Sequence, residues 1–111
     1  MLQVAEAAVI CEEIGKHRPI TFIVAAYPDG SVKDVALMMY REPVGEEVRY
    51  PAFLKQFTGK SLEDPIFPRR DIKNVTGATL SVRAMSRGVR KALAFIRLTY
   101  VDPASRPGRA E

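Results

Sequence analysis

The apolar positions in the N-terminal part of the chain predict a β-hairpin. Ile20 to Ala26 is apolar and rich in β-branched residues, which favours a strand. Pro28-Asp29-Gly30 then supplies turn-forming residues, and Val32 to Met39 has the composition of a second strand. Ile20 to Tyr40 is therefore predicted to be a hairpin of two antiparallel strands.

Val4 to Glu13, ahead of the hairpin, is compatible with two structures. Its alanine and glutamate content favours a helix by propensity. Ala8-Val9-Ile10-Cys11 has instead the composition of a short buried strand. The residues by themselves leave both alternatives open.

The middle of the chain is predicted to hold one short helix between two irregular segments. Arg41 to Arg49 is polar and contains proline and glycine, so we expect a loop. Tyr50-Pro51 begins a short helix, with an apolar stripe of Phe53, Leu54 and Phe57 and an end at Gly59. Ser61 to Arg70 is predicted to be irregular because Pro65 and Pro68 interrupt it.

Leu80 to Tyr100 has the most regular pattern and predicts a long amphipathic helix lying on a sheet. One side is apolar and the opposite side is basic. The apolar positions are Met85, Val89, Ala92, Leu93, Ile96 and Tyr100, and the basic ones are Arg83, Arg87, Arg90, Lys91 and Arg97. The predicted fold class is α+β, a small antiparallel sheet packed by this helix and the short helix. Residues 1–101 form the domain, and the polar residues 102–111 are predicted to be a disordered tail.

Composition limits the chain to a single domain of ordinary character. It has 111 residues, of which 47% are hydrophobic and 27% charged, values typical of a soluble globular domain. No apolar run has the length that crossing a bilayer requires. The first 15 residues carry Glu6, Glu12 and Glu13 and no basic flank, so we expect neither a signal peptide nor a membrane anchor.

Charge and cysteine content exclude several classes of function. Cys11 and His17 are the single cysteine and histidine, too few for a disulfide, a metal site or a Cys/His nucleophile. The net charge is +4, but the basic residues are spread and no aromatic residue interleaves with the basic helix face. Nucleic-acid binding is therefore not predicted.

The candidate chemistry lies in the segment from Asp71 to Ser81, which leads into the long helix. Three hydroxyl side chains, on Thr76, Thr79 and Ser81, flank the two small residues Gly77 and Ala78. A helix N-terminus offers unpaired N–H groups and partial positive charge, which suits a phosphate. These residue types are also typical of any helix start, and the residues alone favour a simple cap over a ligand site.

This segment resembles the attachment signature of the FMN-binding domain family. The signature is an Asp, a short spacer, Ser/Thr-Gly-Ala-Thr/Ser, any residue, and Thr/Ser. Asp71, Thr76-Gly77-Ala78-Thr79 and Ser81 match it position by position. The family includes the flavin-carrying subunits of the sodium-pumping NADH:quinone reductase and of the related ferredoxin:NAD reductase complex. The resemblance implies that Ser81 accepts FMN as a phosphoester, transferred from FAD by an Mg²⁺-dependent flavin transferase.

The resemblance extends over roughly Ile14 to Ile96. Glu42-Pro43-Val44-Gly45 matches a Glu-Thr-x-Gly loop of the family, with Pro43 in place of the threonine. Phe53 to Lys60 is similar to the family's short helix and Gly-Lys turn. Ser81 stands where a threonine is commoner, which preserves the hydroxyl chemistry.

The resemblance implies a role for each remaining site residue. Thr76, Thr79 and the amides of Gly77 and Ala78 would hydrogen-bond the flavin or its phosphate, Asp71 would position the acceptor loop or help to bind the transferase's metal, and Glu42 and Gly45 would line the isoalloxazine. Lys60 and Arg83 are candidate partners of the phosphate.

The function implied is an electron-transfer carrier without substrate catalysis of its own. Its partners would be the flavin transferase and redox proteins, membrane-bound ones included, and family members usually work on the extracytoplasmic side. The alternatives are non-covalent FMN binding, a basic binding domain, and a scaffold that has lost its flavin.

Overall fold

The computed structural model describes residues 7–99 and contains a three-stranded antiparallel sheet in the order β1-β2-β3. Strand β1 spans Ala7–Ile14, β2 spans Pro19–Ala26 and β3 spans Val32–Tyr40. The predicted hairpin is thus confirmed as β2 and β3. The segment that propensity left open, Val4 to Glu13, is a strand from Ala7 onwards, because its backbone pairs along all of β2, from Ala7 opposite Ala26 to Ile14 opposite Pro19. Residues 4–6 lie outside the described residues.

A long helix, α2, spans Thr79–Thr99 and packs on the β1 and β2 side of the sheet. Alternate residues of β2 point towards it, and Ile20, Phe22, Val24 and Ala26 are fully buried. On the helix, the predicted apolar positions are buried as well, namely Met85, Val89, Ala92, Leu93 and Ile96. Tyr100, which the pattern placed on the same side, lies outside the described residues. The predicted α+β class is confirmed.

The segment between β3 and α2 contains three short helical pieces. Helix α1 spans Pro51–Leu54 and continues as a 3₁₀ turn over Lys55–Phe57, which confirms the predicted short helix. Phe53 and Phe57 are buried, with their rings packed edge to face at 5.7 Å. The predicted loop over Arg41 to Arg49 is wrong in part. Its second half, Glu46–Arg49, is a 3₁₀ helix that buries Val48 in the core.

Several basic residues of α2 contact groups on neighbouring segments. Glu13 on β1 accepts a hydrogen bond from Arg87 at 2.8 Å and pairs with Lys91 at 3.2 Å. Arg97 pairs with Glu63 at 3.2 Å, and Arg90 donates to the carbonyl oxygen of Ile66. These contacts tie α2 to the sheet and to the loop before it.

The predicted disordered tail, 102–111, lies outside the described residues. Within residues 7–99, no helix is both long enough and apolar enough to cross a membrane. The same residues contain no group of three or more histidine, cysteine, aspartate or glutamate side chains placed to hold a metal ion.

Candidate functional site

The start of α2 is built by a tight turn that ends in the helix. Gly77 has a φ of 83°, in the left-handed region that glycine adopts without strain. The amide of Ala78 donates to the carbonyl of Val75 at 2.9 Å and closes this turn. Asn74 donates its side-chain amide to Thr79 Oγ1 at 3.0 Å, which holds the hydroxyl of the first helical residue. The turn therefore presents the helix N-terminus with a defined geometry.

Ser81 lies in the first turn of α2 and is buried, with 3% of its surface exposed. Its hydroxyl oxygen is 3.2 Å from the phenol oxygen of Tyr40, at the end of β3. No acidic residue occupies the first turn of the helix, so the partial positive charge of the N-terminus is not offset there. Ser81 Oγ is thus a hydroxyl held in place beside a helix terminus that favours anions.

The loop after β3 packs against the start of α2. Tyr40 donates its hydroxyl hydrogen to the carbonyl oxygen of Val44 at 2.5 Å, which folds the loop back on the strand. Gly45 adopts a φ of 84°, and a Cβ at that position would overlap Cβ of Ala78. The backbone therefore approaches Ala78 more closely than any residue with a side chain allows.

Glu42 connects this loop to the turn between β1 and β2. The residue is 8% exposed, and its carboxylate accepts the backbone N–H groups of His17 and Arg18 at 2.7 and 2.9 Å. These two hydrogen bonds hold the pKa of Glu42 below its ordinary value. A Cβ added at Gly15 would lie 3.2 Å from both Glu42 Oε2 and Ser81 Oγ, so the turn, the loop and the helix meet at one point.

A cleft of about 560 Å³ opens where these three segments meet. That volume is within the range of small-molecule and cofactor sites. Its walls combine polar groups with apolar surface, and the residues that line it are Lys16, His17, Tyr40, Glu42, Pro43, Val44, Gly77, Ala78, Thr79, Leu80 and Ser81. Of the residues proposed from the sequence, Glu42, Gly77, Ala78, Thr79 and Ser81 lie together in this cleft.

Three of the proposed residues stand outside the lining. Gly45 lies behind the cleft wall, against Ala78, and Thr76 is an exposed residue next to Gly77. Asp71 holds the preceding loop: its carboxylate accepts the backbone N–H groups of Ile66 and Phe67 at 3.1 and 2.9 Å. Burial raises the pKa of Asp71, but these hydrogen bonds and Lys60 at 3.4 Å outweigh burial, and the net pKa is lowered.

Lys60 and Arg83, the two cations proposed as phosphate partners, contact groups outside the cleft. Lys60 pairs with Asp71, and the guanidinium of Arg83 lies 5.8 Å from the ring centroid of Phe67. Arg90 lies 5.6 Å from the same ring. Neither Lys60 nor Arg83 lines the cleft, whereas Lys16 does.

Sequence reasoning did not identify Tyr40, Lys16 or His17 as site residues. Each comes from a different part of the chain than Ser81, and no local pattern marks them. Tyr40 lies opposite the buried Ile20 because a register shift between Thr21 and Phe22 interrupts the alternation of β3, so the sequence pattern did not indicate its position.

The chain matches a family model described as an FMN-binding domain over residues 15–94. Among solved structures, the crystal structure of Shewanella oneidensis NqrC is similar, with a TM-score of 0.66 and 24% sequence identity. The match covers 79% of this chain and 48% of that one, so this chain spans about half the length of the NqrC chain. At this identity the likeness shows a shared fold. A comparison with curated proteins finds no match.

Proposed function

The chain belongs to the FMN-binding domain family, and we propose that it carries one FMN as a phosphoester on Ser81 and transfers electrons between redox partners. The cofactor is FMN, as the family's description states. When bound, FMN supplies the redox chemistry, and the protein contributes attachment, orientation and electrostatics. Covalent attachment, the transferase and the redox partners are the parts of this function that we propose.

The residues of the cleft fit a phosphate joined to a planar aromatic ring system. A Cβ added at Gly77 would meet nothing within 4 Å, so there is open space directly over the backbone of the turn. The amides of the first turn of α2 border that space and favour a phosphate. Pro43, Val44 and Leu80 supply apolar wall surface of the kind that contacts an aromatic ring.

The observation that supports the function most directly is the placement of Ser81. Its hydroxyl is the one that the attachment signature assigns to the flavin, and it lies in the cleft beside the N-terminus of α2. A phosphodiester formed there keeps one negative charge, which the helix terminus stabilises. Lys16, an exposed cation on the opposite wall, adds further favourable charge.

The walls of the cleft also suit a carrier. Lys16, His17, Val44 and Leu80 are exposed residues, so a flavin held between them remains accessible from outside. Electron transfer to a partner protein requires such access. The partners that we propose are a flavin transferase that uses FAD and Mg²⁺, and redox proteins, including membrane-bound ones.

Non-covalent FMN binding is the second candidate, and one observation favours it. Ser81 is nearly buried and its hydroxyl already has a partner in Tyr40. A serine in that position also serves to pack the first turn of the helix. In this alternative the cleft binds FMN and the Ser81 hydroxyl is not modified.

The test is the intact mass of the protein after co-expression with a flavin transferase. Wild type is compared with Ser81→Ala and with Ser86→Ala, a matched control that removes a buried hydroxyl of the same helix outside the cleft lining. We expect wild type and Ser86→Ala to gain the mass of one FMN minus one water, and Ser81→Ala to gain nothing.

The other outcomes separate the alternatives. An unmodified mass with a yellow protein would establish non-covalent binding and contradict attachment. An unmodified and colourless wild type would contradict the carrier function for this chain. A mass gain that persists in Ser81→Ala would move the attachment to another hydroxyl.

A further inference from the structure

We propose that Tyr40 is a positioning residue for the Ser81 hydroxyl, which orients Ser81 Oγ for transfer of the flavin phosphate. This inference rests on the proposed attachment of FMN to Ser81. It assigns a role to a residue that lies outside the attachment signature and 41 positions from the acceptor along the chain.

The hydrogen-bond partners of Tyr40 determine where its proton lies. Its hydroxyl is 2.5 Å from the carbonyl oxygen of Val44, and a carbonyl can only accept. Tyr40 must therefore donate its single proton to Val44. The contact of 3.2 Å with Ser81 Oγ then requires that Ser81 is the donor and the Tyr40 oxygen the acceptor.

The surroundings keep the phenol protonated and in place. Burial, together with the carboxylates of Glu42, Glu47 and Glu46, raises the pKa of Tyr40 and outweighs the opposing effect of Ser81. A Cβ at Gly45 would lie 2.8 Å from the Tyr40 hydroxyl oxygen, so the loop backbone packs closely against that group. The oxygen that accepts the hydrogen bond from Ser81 is thus neutral and fixed in position.

The orientation matters for the chemistry of attachment. Ser81 Oγ forms a bond to the phosphorus atom nearest the flavin, the bridging P–O bond of the flavin dinucleotide breaks, and AMP leaves. The proton of Ser81 is released to solvent. With that proton directed at Tyr40, both lone pairs of Oγ stay available to the phosphorus, since no other described residue donates a hydrogen bond to that oxygen. Tyr40 has no free site for the proton while it donates to Val44, so it orients the nucleophile and does not deprotonate it.

If Ser81 is the donor in this hydrogen bond, Tyr40 should affect the rate of flavin attachment and not its final extent. Once esterified, Ser81 Oγ has no proton to donate to Tyr40. The hydrogen bond therefore orients the hydroxyl before transfer, and the stability of the adduct does not depend on it. Removal of the phenol oxygen should slow the transfer and leave the plateau of modification unchanged.

The experiment follows flavin attachment to the purified chain by intact mass, with a flavin transferase, FAD and Mg²⁺, over a range of carrier concentrations. Tyr40→Phe removes one oxygen atom and keeps the ring. Tyr27→Phe, an exposed tyrosine outside the cleft lining, is the matched control. Thermal melts establish that both variants are folded at the assay temperature.

We expect Tyr40→Phe to lower kcat about threefold, because the Ser81 hydroxyl would then sample about three staggered orientations instead of one. The KM for the carrier and the plateau should stay unchanged. Tyr27→Phe should match wild type. An unchanged kcat in folded Tyr40→Phe would overturn the proposal, as would a raised KM with normal kcat, which would make Tyr40 part of the docking surface. Failure of wild type to accept FMN at all would instead contradict the proposed function.

Discussion

Glu42 Oε2 lies 2.7 Å from the backbone nitrogen of His17 and accepts its hydrogen, although His17 lies between β1 and β2 and Glu42 follows β3. A second hydrogen bond, from the amide of Arg18, reaches the same oxygen. Glu42 is thereby the link between two walls of the cleft, the loop after β3 and the turn between β1 and β2.

Glu42→Gln should lower the melting temperature by several degrees at pH 7, because a neutral amide oxygen accepts more weakly than a carboxylate. The folded-state pKa of Glu42 is lowered, so its contribution to stability is complete above the pKa of the unfolded chain and is lost as the pH falls through the folded-state pKa. Thermal melts at pH 7 and pH 3 should show the gap between wild type and variant narrowing at pH 3. Glu47→Gln, an exposed neighbour, is the control. An equal gap at both pH values would contradict the role of the charge.

Asp71→Ala should destabilise the fold by about 2 kcal/mol, since the backbone amides of Ile66 and Phe67 lose a charged acceptor. The loop that Asp71 holds contains Ile66 and Arg69 at positive φ, so it depends on such contacts. Urea unfolding measures the difference, with the exposed Asp34→Ala as control. If flavin attachment were lost in Asp71→Ala while the free energy of unfolding stayed unchanged, Asp71 would act on the flavin or the transferase instead.

Gly45→Ala should be more damaging than Gly59→Ala, although both glycines have a φ of 84°. At Gly59 an added Cβ meets nothing within 4 Å, so the cost is the backbone strain of about 1–2 kcal/mol. At Gly45 the same Cβ overlaps Ala78 and Tyr40, and we expect about 1–3 kcal/mol more. Urea unfolding compares the two variants, and equal losses would show that the loop moves away from α2 at little cost.

Gly88→Ala should destabilise the protein, although alanine is the better helix former by about 1 kcal/mol. Gly88 lies where α2 crosses the sheet, and its Cβ would be 2.5 Å from the ring of Phe22 and 2.9 Å from Glu13. We expect a net loss of about 1–2 kcal/mol from overpacking, measured by urea unfolding. Partial recovery in the double variant with Phe22→Leu would confirm the cause, whereas a stabilised Gly88→Ala would contradict the close approach.

The elements that depend on local patterns could be predicted from the sequence. The alternation of β2 and the periodicity of α2 each follow from neighbouring residues, and the structure confirms both. β1 was ambiguous because its strand conformation depends on pairing with β2. The 3₁₀ helix at Glu46–Arg49 was missed because the burial of Val48, a tertiary contact, holds it.

The residues of the candidate site also fall into two groups, those that a sequence motif indicates and those that only the tertiary structure brings to the cleft. Gly77, Ala78, Thr79 and Ser81 are contiguous with the start of one helix, so a sequence motif is enough to group them. Tyr40 and Lys16 enter the cleft through the register of the sheet and the packing of α2 on it. Asp71 belongs to the same motif as Ser81, yet its carboxylate holds the backbone of Ile66 and Phe67.

By itself the sequence determined the α+β class, the amphipathic helix and the hydroxyl-rich segment that begins it, because periodicity and turn chemistry are properties of residues close along the chain. The tertiary structure decided that β1 is a strand, that Glu42 joins the loop after β3 to the turn between β1 and β2, and that the hydroxyl oxygens of Tyr40 and Ser81 lie 3.2 Å apart. Each of these contacts joins residues that are far apart in the chain. Their proximity is set by strand register and helix packing, which act over the whole core.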